Sequence, residues 1–311
     1  LTVGGTGDFV HVPGTDPDAG RLELSSGGTT FLAIRYERLG AGTVSVAGTG
    51  VADSLTARGT NTADKIVVAF TGPNGIDIDL TSGYGSHVDL RSTGVESYLI
   101  DIAQDGDDDI FLNTPVNASG SFEVRGGGGT DLLHLTADGT ITAVTMRPLA
   151  GSPGEGEIEG FGTPTVRFGQ IDGIRYAGNG ADTLIVDPGV GDHAVRVDGS
   201  SGAVDRVTSD ALPEIQFGGV DTFKVLEAAA GNGALQVTFA TGSLAGAAHY
   251  ATDLEPESTL ILEGRDDAAD RFTVALRPGS NVAVTDHASG VTVIDLAVSG
   301  PVGRLRLDTL G

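Results

Sequence analysis

The densest group of side chains able to do chemistry in this 311-residue chain is the run Asp105-Gly106-Asp107-Asp108-Asp109. Carboxylates on a turn suit calcium, which takes about six to eight oxygens from side chains and carbonyls of a flexible loop. Asp101 lies just upstream and could join. No Glu sits where an EF-hand loop would place its last ligand. The run predicts a weak calcium site formed by Asp101, Asp105, Asp107, Asp108 and Asp109. The plainer reading of the same residues is a solvated acidic turn.

Other chemistry is thinly supported. Cys is absent, which excludes disulfides, thiolate metal sites and a Cys nucleophile. The six histidines, His11, His87, His134, His193, His249 and His287, form no H-E-x-x-H or H-x-H arrangement. In Asp192-His193 and Asp286-His287 the two neighbours on a strand would point to opposite faces, so surface histidines are expected. No Gly-x-Ser-x-Gly elbow, Walker loop or dinucleotide fingerprint occurs. A polysaccharide-cleaving site would need clustered carboxylates and aromatic platforms. Trp is absent, Tyr numbers five and the acids are scattered, so no enzyme is expected. A polysaccharide-active β-helix remains the alternative. Asn117-Ala118-Ser119 is a sequon common by chance and reads as silent.

A net charge of −24 repels nucleic acid and anionic membrane, so neither is expected as a partner, while divalent cations are attracted. No apolar run approaches the ~18 residues of a membrane helix.

The elements that must position these residues are strands. Gly is 49 of 311, which favours turns over helices. Period-2 alternation recurs, as in Lys65-Ile66-Val67-Val68-Ala69-Phe70 and Ala194-Val195-Arg196-Val197. The nearest approach to a helix, Val225 to Ala230, is stopped by Gly231, and Pro148 to Gly162 reads as an exposed loop. Strand units repeat: Phe168 to Tyr176 matches Phe217 to Val225 position by position, and Gly94 to Ile100 is a weaker copy. A second unit, Ala-Asp-x-apolar, occurs at Ala52-Asp53, Ala63-Asp64, Ala181-Asp182 and Ala269-Asp270. Asp at such turns can accept backbone N–H groups that a sharp bend leaves unpaired. The pattern predicts an all-β chain, a parallel β-helix or β-solenoid of degenerate repeats, with tandem β-sandwich domains as the alternative. One continuous repeat region over 1–311 is expected, with approximate repeats 37–95, 96–171, 172–220, 221–291 and a partial 292–311.

Gly126-Gly127-Gly128-Gly129-Thr130-Asp131-Leu132-Leu133-His134 fits the nonapeptide G-G-x-G-x-D-x-U-x at every fixed position, and Ala177 to Ile185 fits with one change. Here the chain resembles the degenerate Gly/Asp-rich, calcium-roll-like β-solenoid repeats of large extracellular bacterial surface proteins. The resemblance implies Asp131 and Asp182 as further calcium ligands. In that family the nonapeptides run in tandem and share each ion, whereas here they stand apart.

Leu1-Thr2-Val3 reads as mid-strand, which suggests a piece of a longer secreted precursor. Neither end carries a recognisable polar cap, and a bare solenoid end invites stacking. The expected function is structural: a building block of a cell-surface filament, sheath or surface layer, outside the cell, associating end to end with itself. An adhesin or ligand-binding stalk is the alternative, and cell-surface polysaccharide is a further expected partner.

Overall fold

The computed structural model describes residues 1–311 except 41, 51, 150–153, 202, 228–234, 241–243, 255–257, 264–271, 278–280, 287–296, 300–303 and 309–311. Every regular element among the described residues is a strand. No helix there is long and apolar enough to cross a membrane. The chain is all-β, with parallel and mixed sheets, and divides into two compact units, 1–138 with 157–174, and 139–156 with 175–311.

In the first unit, one sheet stacks the parallel strands Asp8–Pro13, Ser54–Arg58, Ser97–Asp105, Phe122–Gly128 and Val166–Gly169. The hairpin Gly20–Ser26 and Thr29–Tyr36 extends it antiparallel beyond Asp8–Pro13. The other sheet joins the parallel strands Thr2–Gly5, Thr43–Gly48 and Asp89–Thr93 to Gly75–Ser82 and Asp64–Gly72 by antiparallel pairs. It continues parallel through Asp109–Leu112 and Leu132–Thr136.

Alternation explains the core. Every second residue faces inward, and parallel register lines these residues up across strands. Ile66, Ile110 and Leu133 form one such row, and Val68, Leu112 and Leu135 the next, all buried. Leu55, Tyr98, Phe122 and Val166 form a row on the opposite sheet. The two sheets meet where Phe70 packs edge-on against Tyr98 at 5.9 Å and Phe122 at 5.5 Å.

The second unit repeats the plan. Ala143–Pro148, Thr183–Val186, Val220–Leu226 and Ala247–Asp253 run parallel in one sheet. His193–Ser201, Leu235–Ala240, Thr259–Glu263 and Arg304–Asp308 run parallel in the other, with Val204–Ser209 and Glu214–Gly218 added antiparallel. Phe223 stacks on Phe217 at 4.5 Å and meets Phe239 edge-on at 6.4 Å, filling the space between sheets.

Two local expectations change. The stretch from Pro148 is not all loop: Glu155–Glu159 is a strand, Ile158 is buried and Phe161 is fully buried. Those two apolar side chains outweigh the surrounding Gly and Glu, because burying them is worth more than turn propensity. Val225 and Leu226 belong to the strand Val220–Leu226, while residues 228–231 of the helix-like stretch lie outside the described residues.

Candidate functional site

The repeated aspartates sit at the turn where one sheet hands the chain to the next strand. Asp53 directly precedes Ser54–Arg58, Asp64 opens Asp64–Gly72, Asp131 precedes Leu132–Thr136 and Asp182 precedes Thr183–Val186. All four are buried, and their carboxylates are turned toward main-chain donors. Asp53 accepts from Gly7 N at 2.6 Å and Gly50 N at 2.8 Å. Asp64 accepts from Thr60 N at 2.6 Å and the Thr60 hydroxyl at 2.7 Å. Asp182 accepts from Asn179 N at 3.0 Å and from the Tyr176 hydroxyl. A sharp turn strands such donors, and a charged acceptor satisfies them better than a neutral one.

Each turn is closed from the next strand by the same device. The carbonyl of Asp131 accepts both Asp172 N and Gly173 N, that of Asp182 accepts Asp221 N and Thr222 N, and that of Asp53 accepts Glu96 N and Ser97 N. The amides of Asp53 and Asp131 donate in return to the Glu96 and Asp172 carboxylates, each at 2.8 Å. Two positions before each of these acids the backbone is left-handed, at Gly94, Gln170 and Gly219 (φ 65°, 55° and 69°). That bend brings its carbonyl against a glycine of the facing turn. A Cβ on Gly48, Gly126 or Gly178 would stand 2.2, 2.2 or 2.6 Å from the carbonyl oxygen of Gly94, Gln170 or Gly219.

In the first unit the aspartates also bond to one another. Asp64 N donates to Asp108 at 2.7 Å, Asp108 N to Asp131 at 3.1 Å and Asp131 N to Asp172 at 2.8 Å. The steps along the chain are 44, 23 and 41 positions, so the spatial repeat does not have one sequence length. Burial pushes the Asp108 carboxyl up to about 7, helped by repulsion from Asp64, Asp131 and Asp107. Burial likewise raises Asp131 to about 6, with Asp172 and Asp107 adding repulsion. Asp131 Oδ2 is buried without a hydrogen-bond partner, an unsatisfied position that disfavours the charged carboxylate.

The residues predicted as calcium ligands are therefore divided. Asp108, Asp131 and Asp182 are buried and engaged with main-chain or tyrosine donors. Asp107 is exposed and accepts from Thr130 N at 2.9 Å, and Asp105 is exposed nearby. Asp109 points to the outer face and bonds His134 at 2.6 Å, and His134 stacks on Phe111 at 4.1 Å. Asp101 pairs with Arg58 at 3.6 Å. Among the described residues no three acidic or histidine side chains converge as a metal-ligand set.

Sequence reasoning missed two participants and misplaced two histidines. Asp64 and Asp172 complete the ladder; the Ala-Asp unit and the aligned copies around Asp172 and Asp221 were the signals that could have found them. His11 and His87 are buried, not on the surface. His11 Nε2 shares a 2.6 Å hydrogen bond with the Tyr36 hydroxyl, and burial lowers its pKa to about 4. His87 shares a 2.7 Å bond with Ser82. His11 lies on an inward-facing position of Asp8–Pro13, where period-2 alternation overrides the usual exposure of histidine, while His87 sits between strands beside the equally buried Val88. His287 lies outside the described residues.

No protein family, curated protein or solved structure gives a match to this chain.

Proposed function

We propose that the chain is a structural, extracellular building block, a parallel β-helix whose repeats associate with further copies in a filament, sheath or surface layer. The observation that carries this reading is the use made of the buried acids. Asp53, Asp131 and Asp182 each spend side chain and carbonyl on closing the same kind of turn. In a stacked repeat each unit is stabilised mainly by its neighbours, so a device that ties one strand to the next is where selection for a long, stiff scaffold would act. The strongly acidic surface keeps such a scaffold soluble until it pairs. Calcium belongs to this reading as a weak ligand of the exposed Asp105 and Asp107.

The test is electron microscopy with sedimentation of the purified chain across concentration, with calcium and with chelator. Concentration-dependent ordered assemblies are expected. Strictly monomeric particles at high concentration under both conditions would rule the reading out.

A shallow groove of about 510 Å3 favours the stalk or adhesin as a second reading. Arg196, Thr208, Asp210, Gln236, Thr238 and Glu263 line it beside the apolar Ala194, Val195 and Ile261, a mixed set of hydrogen-bonding and apolar groups of the kind a sugar ring can meet. Glycan-array binding that is lost in Gln236→Ala would move the assignment there.

A further inference from the structure

The strand Thr29–Tyr36 is the last of its sheet: it pairs with Gly20–Ser26 on one side and with no described strand on the other. Alternate N–H and C=O groups along such an edge are a template for another chain. Protein sheets blunt their edges with short strands, Pro, Lys or other charges. The edge strand Thr2–Gly5 has only four residues, the edge strand Arg304–Asp308 carries Arg304, Arg306 and Asp308, and the edge strand Phe272–Arg277, also without Pro, Lys or acid, is two residues shorter than Thr29–Tyr36. Thr29–Tyr36 has eight residues, with no Pro, no Lys and no acid, and its one charge is Arg35.

Its inward face is also unfinished. Phe9 pairs with Leu24, and Leu24 pairs with Leu32, so an apolar row runs outward across the three strands. Exposure along that row climbs from 0% to 4% to 38%. In the neighbouring row Leu22 is buried and its partner Ile34 only half-buried. Residue type stays apolar while burial fades, which is what a missing next strand produces.

We propose that Thr29–Tyr36 pairs edge to edge and antiparallel with the same strand of a second copy, about a two-fold axis at Ala33. This rests on the reading of the chain as a self-associating building block and names the surface and register of one contact; a two-fold contact closes a pair, so a filament or layer takes a second contact as well. A two-fold perpendicular to the sheet keeps both apolar faces on one side, because positions of equal parity then meet. Centred on Ala33, it sets Leu32 against Ile34 of the second copy and covers both. It keeps the two copies of Arg35 from facing each other. In a chain of net charge −24, an identical acid-free strand is a partner that adds no acid to the pairing edge.

The chain has no Cys, so Ala33→Cys introduces a single thiol. Opposed strand residues lie within disulfide reach, at Cα separations of about 4.5–5.5 Å. On mild oxidation the full-length Ala33→Cys protein is expected to cross-link into a dimer much faster than a Gly139→Cys control at an exposed turn. Leu32→Lys, an exposed change that leaves the fold intact by circular dichroism, should weaken association about tenfold or more by burying unpaired charge. Cross-linking no faster than at Gly139, or association unchanged by Leu32→Lys, overturns the edge pairing. If the unmodified chain still assembles in that case, the structural reading survives alone; if it stays monomeric, both fall.

Discussion

Asp131 and Asp172 are bonded twice: the Asp131 amide donates to the Asp172 carboxylate at 2.8 Å, and the Asp172 amide donates to the Asp131 carbonyl at 2.9 Å. Asp53 and Glu96 repeat this reciprocal closure, and Asp182 with Asp221 repeats its carbonyl half. A side chain 41 or 43 positions away along the chain thus completes a turn that the local chain leaves open.

Asp172→Ala should remove the acceptor of a buried amide and cost about 1–3 kcal/mol. Glu96→Ala should cost a similar amount through Asp53. Urea unfolding of each variant checks this, and an unchanged midpoint in both would remove the closure as a source of stability.

Gly126→Ala places a Cβ against the Gln170 carbonyl and the Asp131 carboxylate, whereas a Cβ on Gly139 meets nothing within 4 Å. The first substitution should destabilise by about 2–4 kcal/mol through forced separation of the strands, and Gly139→Ala should be near neutral. Thermal melts of the pair decide it; equal melting points would contradict the close approach.

Asp108 and Asp131 titrate at about 7 and about 6 in the fold, above the ordinary 3.8. Their neutral forms favour folding, so the stability they contribute is complete below about pH 4 and is lost as pH rises through 6 to 7. Asp131→Asn keeps the neutral shape at every pH. In chelated buffer its melting temperature should approach that of the parent at pH 5 and exceed it by a few degrees at pH 8. A difference independent of pH would show that Asp131 carries no shifted proton.

His11 acts in the opposite direction. Its pKa is lowered from 6.5 to about 4, so its contribution is present above about 6.5 and lost as pH falls through 4. Tyr36→Phe leaves the buried imidazole without its 2.6 Å partner and should cost about 1–3 kcal/mol at pH 7. Denaturant midpoints at pH 7 measure that loss, and an unaltered midpoint would place the bond's worth near zero.

Strand content was legible because period-2 alternation is local: Ile66 and Val68, or Leu133 and Leu135, announce an inward face without reference to any partner. The repeat was legible in part, since Phe168 to Tyr176 and Phe217 to Val225 are both strand–bend–strand segments, with Gln170 and Gly219 sharing the left-handed bend. Gln170 shows the limit. Its side chain gives no hint of positive φ, and the conformation is imposed by the turn around it.

By itself the amino-acid sequence determined an all-β chain with Gly/Asp turns and a strongly acidic net charge, because turn chemistry, alternation and net charge are properties of near neighbours or of the whole. Only the tertiary structure decided which acids are buried and what they hold. Asp107 and Asp108 are adjacent, yet one is exposed and the other bonds Asp64 and Asp131. Those partners lie 44 and 23 positions away, and no local pattern encodes which distant amide a carboxylate will meet. The register between strands sets that meeting, and burial then sets the proton.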